Sequence, residues 1–386
     1  MNIAIIGGAG GMGRVTTRDA AASDDVDEVR IVDLDADAAG ALAAELPRAS
    51  AVRPEPGHEG LVAALDGCDA VVNAASHRLN VPVMRACLDA GCHYTDLGGL
   101  YHWALQQYEL DTEFQAAGLV AAMSMGAAPG ITNMLAAVAC AELDTVDSIE
   151  VVDAVISGRP FDPDETFVPA YAPDTLIDEF TVPAPQFIDG EPRDMPAGGG
   201  AKLYHLPEGD VECVYTIHSE QATLPRSYAA KGVRRVEWRL GLPPAHVIPL
   251  RVFVAAGLAS TEPVPVGDVE VAPRDVLVAT LARQSGAPDD PDAKERLRAH
   301  VVGTKDGRDV VVDADLPMVQ NAEWGTDSST YSTGVPPSIA AQMMARGDHL
   351  GPGVGGPEAK LPTDVFFREL AARGMHAEVT VRRPLA

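Results

Sequence analysis

The chain has 386 residues, a hydrophobic fraction of 46% and a formal net charge of −27. This acidic balance argues against nucleic acid as a partner, because phosphate binding needs clustered Lys and Arg side chains. The five cysteines form no Cys-x-x-Cys or Cys/His cluster, so neither a disulfide framework nor a structural zinc site is expected.

The N-terminal 125 residues begin with MNIAIIGG, which lacks the basic segment and cleavage site of a signal peptide. We therefore expect a cytoplasmic protein. Apolar runs such as NIAIIG, EVRIVD and DAVVNAA then alternate with helical stretches of roughly 10–15 residues. This alternation predicts parallel strands joined by crossover helices, which is a doubly wound sheet of the α/β class.

A glycine-rich turn follows the first predicted strand and matches G-x-G-x-x-G. Its residues are Gly8, Ala9, Gly10, Gly11, Met12 and Gly13, and a helix is predicted directly after it. In a dinucleotide site such glycines allow a tight turn, close approach of the pyrophosphate and close packing of helix on strand. The alternative is a glycine-rich turn without a ligand.

Asp33 closes the second predicted strand, about 20 residues after the glycine motif, where a dinucleotide site needs an acid. Its carboxylate is expected to accept hydrogen bonds from the adenosine ribose hydroxyls and to repel a 2′-phosphate. The sequence therefore predicts NAD as the cofactor, with NADP less favoured.

Two further strand ends carry polar residues. In a doubly wound sheet, ligands bind at the carboxyl ends of the strands. NAAS, comprising Asn73, Ala74, Ala75 and Ser76, is therefore predicted to lie near the cofactor riboses, although an ordinary loop has the same pattern. Asp96, in HYTDLGG, is a candidate for orienting a substrate amine or a catalytic water, and the alternative is a helix cap.

Beyond about residue 145, alternating β-branched segments predict an α+β domain with an antiparallel sheet. Its TIHSEQATLPRSY segment supplies His218 and Glu220 as candidates for proton transfer and Arg226 as a bidentate clamp for a substrate carboxylate. A polar loop without a catalytic role is the alternative. The acidic loop RPFDPDETF contains no His and no clear ligand spacing, so no metal site is predicted.

Several motifs together resemble the saccharopine dehydrogenase-like family, and within it the lysine 6-dehydrogenases. They are GGAGGMG, DAVVNAA, ACLDAGCHYTDLGG, GAAPGITNML, FTVPAPQFIDGE, TIHSEQATLPRSY and STYSTGVPPSIAAQMMARG. The resemblance implies a Rossmann domain over residues 1–125, an inserted α+β substrate-binding and dimerisation domain over 126–325, and C-terminal helices over 326–386 that return to the Rossmann domain. It also places Leu97 and Pro129 near the cofactor and implies a homodimer.

For the reaction, the resemblance implies NAD(P)-dependent chemistry at a C–N bond of an amino acid. The first expectation is oxidative deamination of the side-chain amine of lysine or a similar diamino acid. One alternative is a saccharopine-type or carboxyspermidine-type reductase that condenses an aldehyde with an amine. Another is an NAD-binding sensor without catalytic activity.

The apolar run from Leu119 to Leu143 is long enough to raise the question of a membrane span, but Pro129 and its flanking glycines divide it. We expect a buried strand, then a turn at the strand's carboxyl end, then a helix from Ile131. Because glycine and proline bring this turn's backbone close to neighbouring groups, the turn is predicted to contact the nicotinamide.

Overall fold

The computed structural model describes residues 1–98, 100–284, 290 and 292–383. The N-terminal part alternates strands with helices, as predicted. Its elements are β1 (Asn2–Ile6), α1 (Gly11–Ala22), β2 (Glu28–Val32), α2 (Ala36–Glu45), β3 (Ala49–Val52), α3 (His58–Leu65), β4 (Ala70–Asn73), α4 (Asn80–Ala90), β5 (His93–Asp96), α5 (Tyr101–Tyr108), α6 (Asp111–Ala117), β6 (Val120–Ala122) and α7 (Ile131–Ala141).

The central part is built mainly from longer strands. Its elements are β7 (Thr145–Ile156), α8 (Pro173–Thr181), β8 (Ala184–Ile188), β9 (Glu191–Met195), β10 (Lys202–Leu206), β11 (Gly209–Cys213), α9 (Glu220–Ser227), β12 (Arg235–Gly241), α10 (Pro244–Ala255), β13 (Val264–Val266), β14 (Val269–Val271), α11 (Pro273–Leu281), β15 (Lys294–Lys305) and β16 (Arg308–Pro317). The C-terminal part adds α12 (Ser328–Arg346), β17 (Gly353–Gly355), α13 (Pro357–Lys360), α14 (Thr363–Ala372) and β18 (Glu378–Arg382).

The first sheet has the strand order β17-β6-β5-β4-β1-β2-β3, and all of its pairs are parallel. The chain runs outward from β1 in both directions, so the order reverses between β1 and β4. This is the switch point at which a doubly wound sheet opens a crevice for a ligand. The predicted Rossmann-type fold is confirmed.

The second sheet has the order β18-β16-β15-β7-β12-β8-β9. The sequence predicts an antiparallel sheet, but this sheet is mixed, because β7 and β12 run parallel. A parallel pair needs a long crossover, and the connection over residues 157–234 supplies one. The C-terminal part contributes to both sheets: α12 packs on α1, β17 extends the first sheet, and β18 pairs with β16 in the second.

Alternation along β7 divides its side chains between two environments. Ile149 and Val151 pack into the core beneath α7, whereas Val152 and Ala154 face the β10–β11 hairpin. Because side chains along a strand alternate between faces, Asp153 shares the face of Val151. Among the described residues, no helix combines the length and the apolar character that crossing a bilayer requires.

Candidate active site

A cavity of about 600 Å³ lies between the carboxyl edge of the first sheet and one face of the second sheet. Its walls on the side of the first sheet come from the loops after β1, β4, β5 and β6. They are Gly11, Met12, His77, Leu97, Gly98, Leu100, Ala127, Ala128 and Pro129. Four strand ends of the first sheet therefore meet at one place, as a doubly wound fold requires.

The glycine loop has the shape of a dinucleotide cradle. Helix α1 begins at Gly11, and Gly10 precedes it with no capping side chain, so the first N–H groups of the helix remain free for an anion. A Cβ on Gly13 would lie 2.1 Å from the carbonyl oxygen of Gly7, so only glycine fits there. The Gly8 carbonyl accepts a hydrogen bond from Thr17 Oγ1 at 3.1 Å, which ties the loop to the helix.

Asp33 lies directly beside this loop. Its Oδ2 accepts a hydrogen bond from the Ala9 N–H at 3.0 Å, and its Oδ1 accepts one from the Asp35 N–H at 3.0 Å. A carboxylate offers about four acceptor positions, so two remain for ribose hydroxyls. The residues present therefore fit an adenine dinucleotide.

The NAAS segment packs against the glycine loop. The amide of Asn73 donates to Asn80 Oδ1 at 2.7 Å, and its Oδ1 accepts from the Ala75 N–H at 3.2 Å. The Ala74 N–H donates to the carbonyl of Ile6 at 2.9 Å, and Ser76 Oγ accepts from the Arg78 N–H at 3.3 Å. The side chains of this segment therefore hold its own backbone beside the cradle.

Sequence reasoning missed one charged group near the adenosine end. Arg53 immediately follows β3 and is exposed, and the preceding residue, Val52, pairs with Val32 at the end of β2. A guanidinium is thus tethered one strand away from Asp33. Arg53 can be recognised as a neighbour of Asp33 only once β2 and β3 are known to pair. The residues that directly follow β2 do not indicate this.

The face of the second sheet gives the cavity an acidic wall. Asp153 and Val155 of β7, Trp238 and Leu240 of β12, and Glu295 of β15 line it. Tyr171 and Glu179, from the α8 segment, close it from the side, and the Tyr171 hydroxyl donates a hydrogen bond to Glu179. The lining described by the structure contains no Lys or Arg. The cavity therefore suits a ligand that brings its own positive charge.

Burial makes these carboxyls harder to ionise. It raises the pKa of Glu179 to about 7, against the opposing effects of the nearby His218 charge and the Tyr171 hydrogen bond. The pKa of Asp153 is also raised by burial, and that of Glu295 is raised by burial and by the charge of Asp153. A cationic ligand would reverse these effects by stabilising the ionised forms.

His218 lines the same cavity and is held by two neighbouring side chains. Its ring stacks on Trp238, with centroids 3.9 Å apart and planes inclined by 5°. Its Nδ1 is hydrogen-bonded to Glu220, whose other oxygen accepts from Thr132 Oγ1 at 2.9 Å. Burial by itself lowers the pKa of His218, but the charge and hydrogen bond of Glu220 outweigh it, and the pKa is raised. This arrangement favours an imidazolium at the cavity wall.

Two predicted catalytic residues lie elsewhere. Asp96 is 1% exposed, and its carboxylate accepts hydrogen bonds from the N–H groups of Gly98 and Ser124 and from the side chains of Tyr94 and Gln107. These four donors fix the strand end, so Asp96 is not placed to orient an amine, and it does not line the cavity.

Arg226 is also absent from the cavity lining. The segment predicted to contain it forms helix α9, and the guanidinium lies 4.3 Å above the ring of Tyr108. It is therefore not positioned to clamp a substrate carboxylate in this cavity. Glu220 is fully buried behind His218, so it supports the imidazole and does not face the ligand itself.

Among the described residues, no group of three or more His, Cys, Asp and Glu side chains is arranged to hold a metal ion. Asp153, Glu179 and Glu295 were missed because each sits inside an otherwise ordinary element. The available signal was an acid at an inward position of an alternating strand, as in IEVVDAVI for Asp153.

Two family profiles match the sequence. The profile described as the saccharopine dehydrogenase NADP binding domain matches residues 3–122. The profile described as the saccharopine dehydrogenase C-terminal domain matches residues 126–375. Together they account for most of the chain, in order.

Individual relatives are similar over most of their length. Carboxyaminopropylagmatine dehydrogenase of Synechocystis is 24% identical over 337 residues, which cover 82% of this chain and 81% of that protein. Carboxynorspermidine synthase of Vibrio cholerae is 27% identical over 333 residues, which cover 82% and 78%. The structure of saccharopine dehydrogenase (L-Glu forming) from Saccharomyces cerevisiae has a TM-score of 0.74 at 17% identity, over 99% of both chains. This last likeness shows a shared fold.

Proposed function

Because the chain belongs to the saccharopine dehydrogenase family, as its motifs predicted, we propose that it is an NAD(P)H-dependent reductase that condenses an aldehyde with a primary amine. The same catalyst would run the reverse oxidation of the secondary amine. The observation that carries this proposal is the acidic cavity at the cofactor edge, whose described lining contains three carboxyls and no Lys or Arg.

The first expectation, oxidative deamination of a lysine side chain, is supported less well. The acidic wall offers carboxyls for more than one ammonium group, which suits a diamine better than a substrate with a single side-chain amine. The two curated relatives bear names that denote carboxylated polyamines, and one of them is a synthase. Both observations favour the condensing reaction and an amine substrate of the polyamine type.

The proposed roles follow from charge. Glu179 and the neighbouring carboxyls bind the ammonium groups of a diamine, because cations stabilise their ionised forms. The His218 imidazolium, supported by Glu220, donates a hydrogen bond to the aldehyde oxygen and polarises the carbonyl. The stacked Trp238 keeps the imidazole flat against the wall, which restricts where that proton can be delivered.

The nucleotide cofactor would be held by the glycine loop, Asp33 and the NAAS segment, and its nicotinamide supplies or accepts the hydride. Leu97, Gly98 and Pro129 line the cavity on the side of the cradle, which supports a place for them beside the nicotinamide. A Cβ on Gly98 would lie 2.5 Å from Pro129 Cγ, so glycine permits this close packing. We propose that NAD(H) is preferred, because the Asp33 carboxylate disfavours a 2′-phosphate.

A matrix of short aldehydes and linear primary amines, assayed with NADH and with NADPH, tests the proposal. Oxidation of the reduced cofactor should require both organic substrates, and diamines should give a lower KM than monoamines of equal length. Reduction of NAD by lysine alone, with no turnover of any aldehyde–amine pair, would instead establish the deaminase. Cofactor binding without either reaction would favour a sensor.

A further inference from the structure

The acidic wall contains a pair of carboxyls that the proposed function leaves without separate roles. Asp153 of β7 pairs with Leu297 of β15, and Glu295 lies two residues before Leu297 on the same strand face. Asp153 and Glu295 are therefore diagonal neighbours across an antiparallel ladder. Such positions are separated by roughly 7–8 Å or less, within reach of two acidic side chains.

The surroundings of this pair provide little to stabilise two negative charges. Glu295 is 7% exposed, and its Oε2 accepts one hydrogen bond, from Ser328 Oγ at 3.3 Å. Oδ1 of Asp153 is buried and has no hydrogen-bond partner among the described residues. Buried carboxylates this close cannot both ionise readily, so one proton stays within the pair.

The charged and titratable groups that face the pair come from several elements. They are His218 from the segment before α9, Glu220 from α9, Glu179 and Tyr171 from the α8 segment, His246 from α10 and Asp327 at the start of α12. His218 is the only one of these with a raised pKa for a cationic form, and Glu220 already compensates its charge. Burial correspondingly raises the pKa of both Asp153 and Glu295.

We propose that Asp153 and Glu295 share one proton and that Asp153 is the catalytic base that takes a proton from the substrate ammonium. Glu295 is a positioning residue that hydrogen-bonds to Asp153 in its protonated form. This inference rests on the proposed condensation. It assigns to the pair a chemical step that cation binding alone does not require.

The pair takes up one proton in this step and gives it back. The ammonium gives one proton to the singly ionised pair, which leaves a neutral amine and a neutral pair. The amine nitrogen then bonds to the aldehyde carbon, the carbonyl π bond opens, and one proton moves from nitrogen to oxygen, which gives a neutral carbinolamine. The pair returns its extra proton to the carbinolamine hydroxyl, the C–O bond breaks, and water and an iminium are released. The pair ends as it began, and the bound nicotinamide would supply the hydride that reduces the iminium.

The shared proton can be tested without any turnover. Infrared difference spectra in a Glu179→Gln background, which removes the other carboxyl of the wall, report protonated carboxyls directly. We expect two carboxyl bands that both titrate above the ordinary range, one of them persisting to higher pH than the other, and we expect Asp153→Asn and Glu295→Gln each to remove one band. If neither variant removes a band, Asp153 and Glu295 hold no proton between them, and the proposal is overturned.

The catalytic part is tested by separating kcat from KM. Asp153→Asn should lower kcat by roughly 10²–10⁴-fold and abolish the acidic limb of its pH profile. Glu295→Gln, which keeps a hydrogen-bond donor, should retain more activity than Glu295→Ala. Glu179→Gln should raise the KM of the amine but retain the acidic limb of the pH profile of kcat. An Asp153→Asn enzyme with wild-type kcat and a raised amine KM would overturn the proposal in favour of simple cation binding.

The infrared and kinetic experiments together distinguish failure of the proposed function from failure of the shared-proton proposal. A wild-type protein with the two carboxyl bands but no aldehyde–amine turnover contradicts the condensation and, with it, the role of Asp153 as base. A protein that condenses aldehyde and amine but lacks the bands retains the proposed function and loses only the shared proton.

Discussion

The two walls of the cavity are built in different ways. The wall from the first sheet is made of loops after strand ends, and the polar groups of the adjoining cofactor cradle are committed to backbone hydrogen bonds, as with Asp33 and Asn73. The wall from the second sheet is made of side chains on a strand face, and its carboxyls have few protein partners. The first wall is a preformed cradle, whereas the second leaves its charges for a ligand to satisfy.

This difference indicates that the first wall determines cofactor binding and that the second wall determines how the amine is bound and deprotonated. Substitutions in the cradle should change cofactor binding through shape and leave the amine unaffected. Substitutions on the acidic wall should change proton transfer, amine binding and pH dependence and leave the cofactor unaffected. If the two walls are independent, a substitution in one wall should leave the ligand of the other wall unaffected.

The largest effect is expected at His218. His218→Gln removes the proton donor while keeping a similar volume against Trp238, and kcat should fall by about 10²–10⁴-fold. Glu220→Gln is the matched control: the pKa of His218 should fall, because its main stabilising charge is lost, and the alkaline limb of the pH profile should move to lower pH. NADH affinity, measured by fluorescence, should be unchanged in both variants. A His218→Gln enzyme with wild-type kcat would contradict the assignment.

The sequence was most informative about the first wall, because its determinants are local. A glycine loop with a strand before it and an acid after the next strand requires no knowledge of distant contacts. The second wall depends on which strands pair and which faces point inward. Asp153 and Glu295 become neighbours only through the β7–β15 register, which no local pattern contains.

Arg226 and Asp96 do not line the cavity, and each case has a physical cause. Glu220 and Arg226 lie on one helix, and at about 100° per residue six steps leave them roughly 120° apart around its axis. One side chain can therefore support the cavity while the other packs on Tyr108. Asp96 was correctly placed at a strand end, but the neighbouring donors saturate its carboxylate, and the sequence does not reveal that saturation.

A pH-dependent stability difference is the next largest effect. The pKa of Glu179 is about 7 in the folded protein, above its ordinary value of 4.5, so folding is penalised progressively as pH rises from about 4.5 to 7. Glu179→Gln, which can still accept the Tyr171 hydrogen bond, should be more stable than the wild type above pH 7, by about 3 kcal/mol. The advantage should vanish below about pH 4.5. Urea unfolding at several pH values measures it, and a pH-independent difference would contradict the buried acid.

A smaller effect is expected when the cradle is overfilled. Gly13→Ala places a Cβ against the carbonyl of Gly7, and overpacking of this kind costs about 1–3 kcal/mol. If the loop shifts to relieve the contact, NADH affinity should fall by roughly 5–150-fold, since 1.4 kcal/mol corresponds to tenfold. Gly40→Ala, on α2 with open space around it, is the control and should leave NADH binding intact. Unchanged NADH affinity in Gly13→Ala would show that the cradle is not fixed by this contact.

The smallest effect concerns the choice between NADH and NADPH. Asp33→Ser removes two hydrogen bonds to the ribose and the repulsion of a 2′-phosphate, so the ratio of the two dissociation constants should shift toward NADPH by about tenfold. Arg53→Ala, one strand away, should weaken NADPH alone, because its guanidinium has no phosphate to meet in NADH. Fluorescence titrations with both cofactors measure the ratio. If Asp33→Ser left it unchanged while Arg53→Ala altered it, the neighbouring strand would set the preference and NADP(H) would be the favoured cofactor. In either case the KM of the amine should stay constant, since both residues belong to the cradle and neither lines the acidic wall.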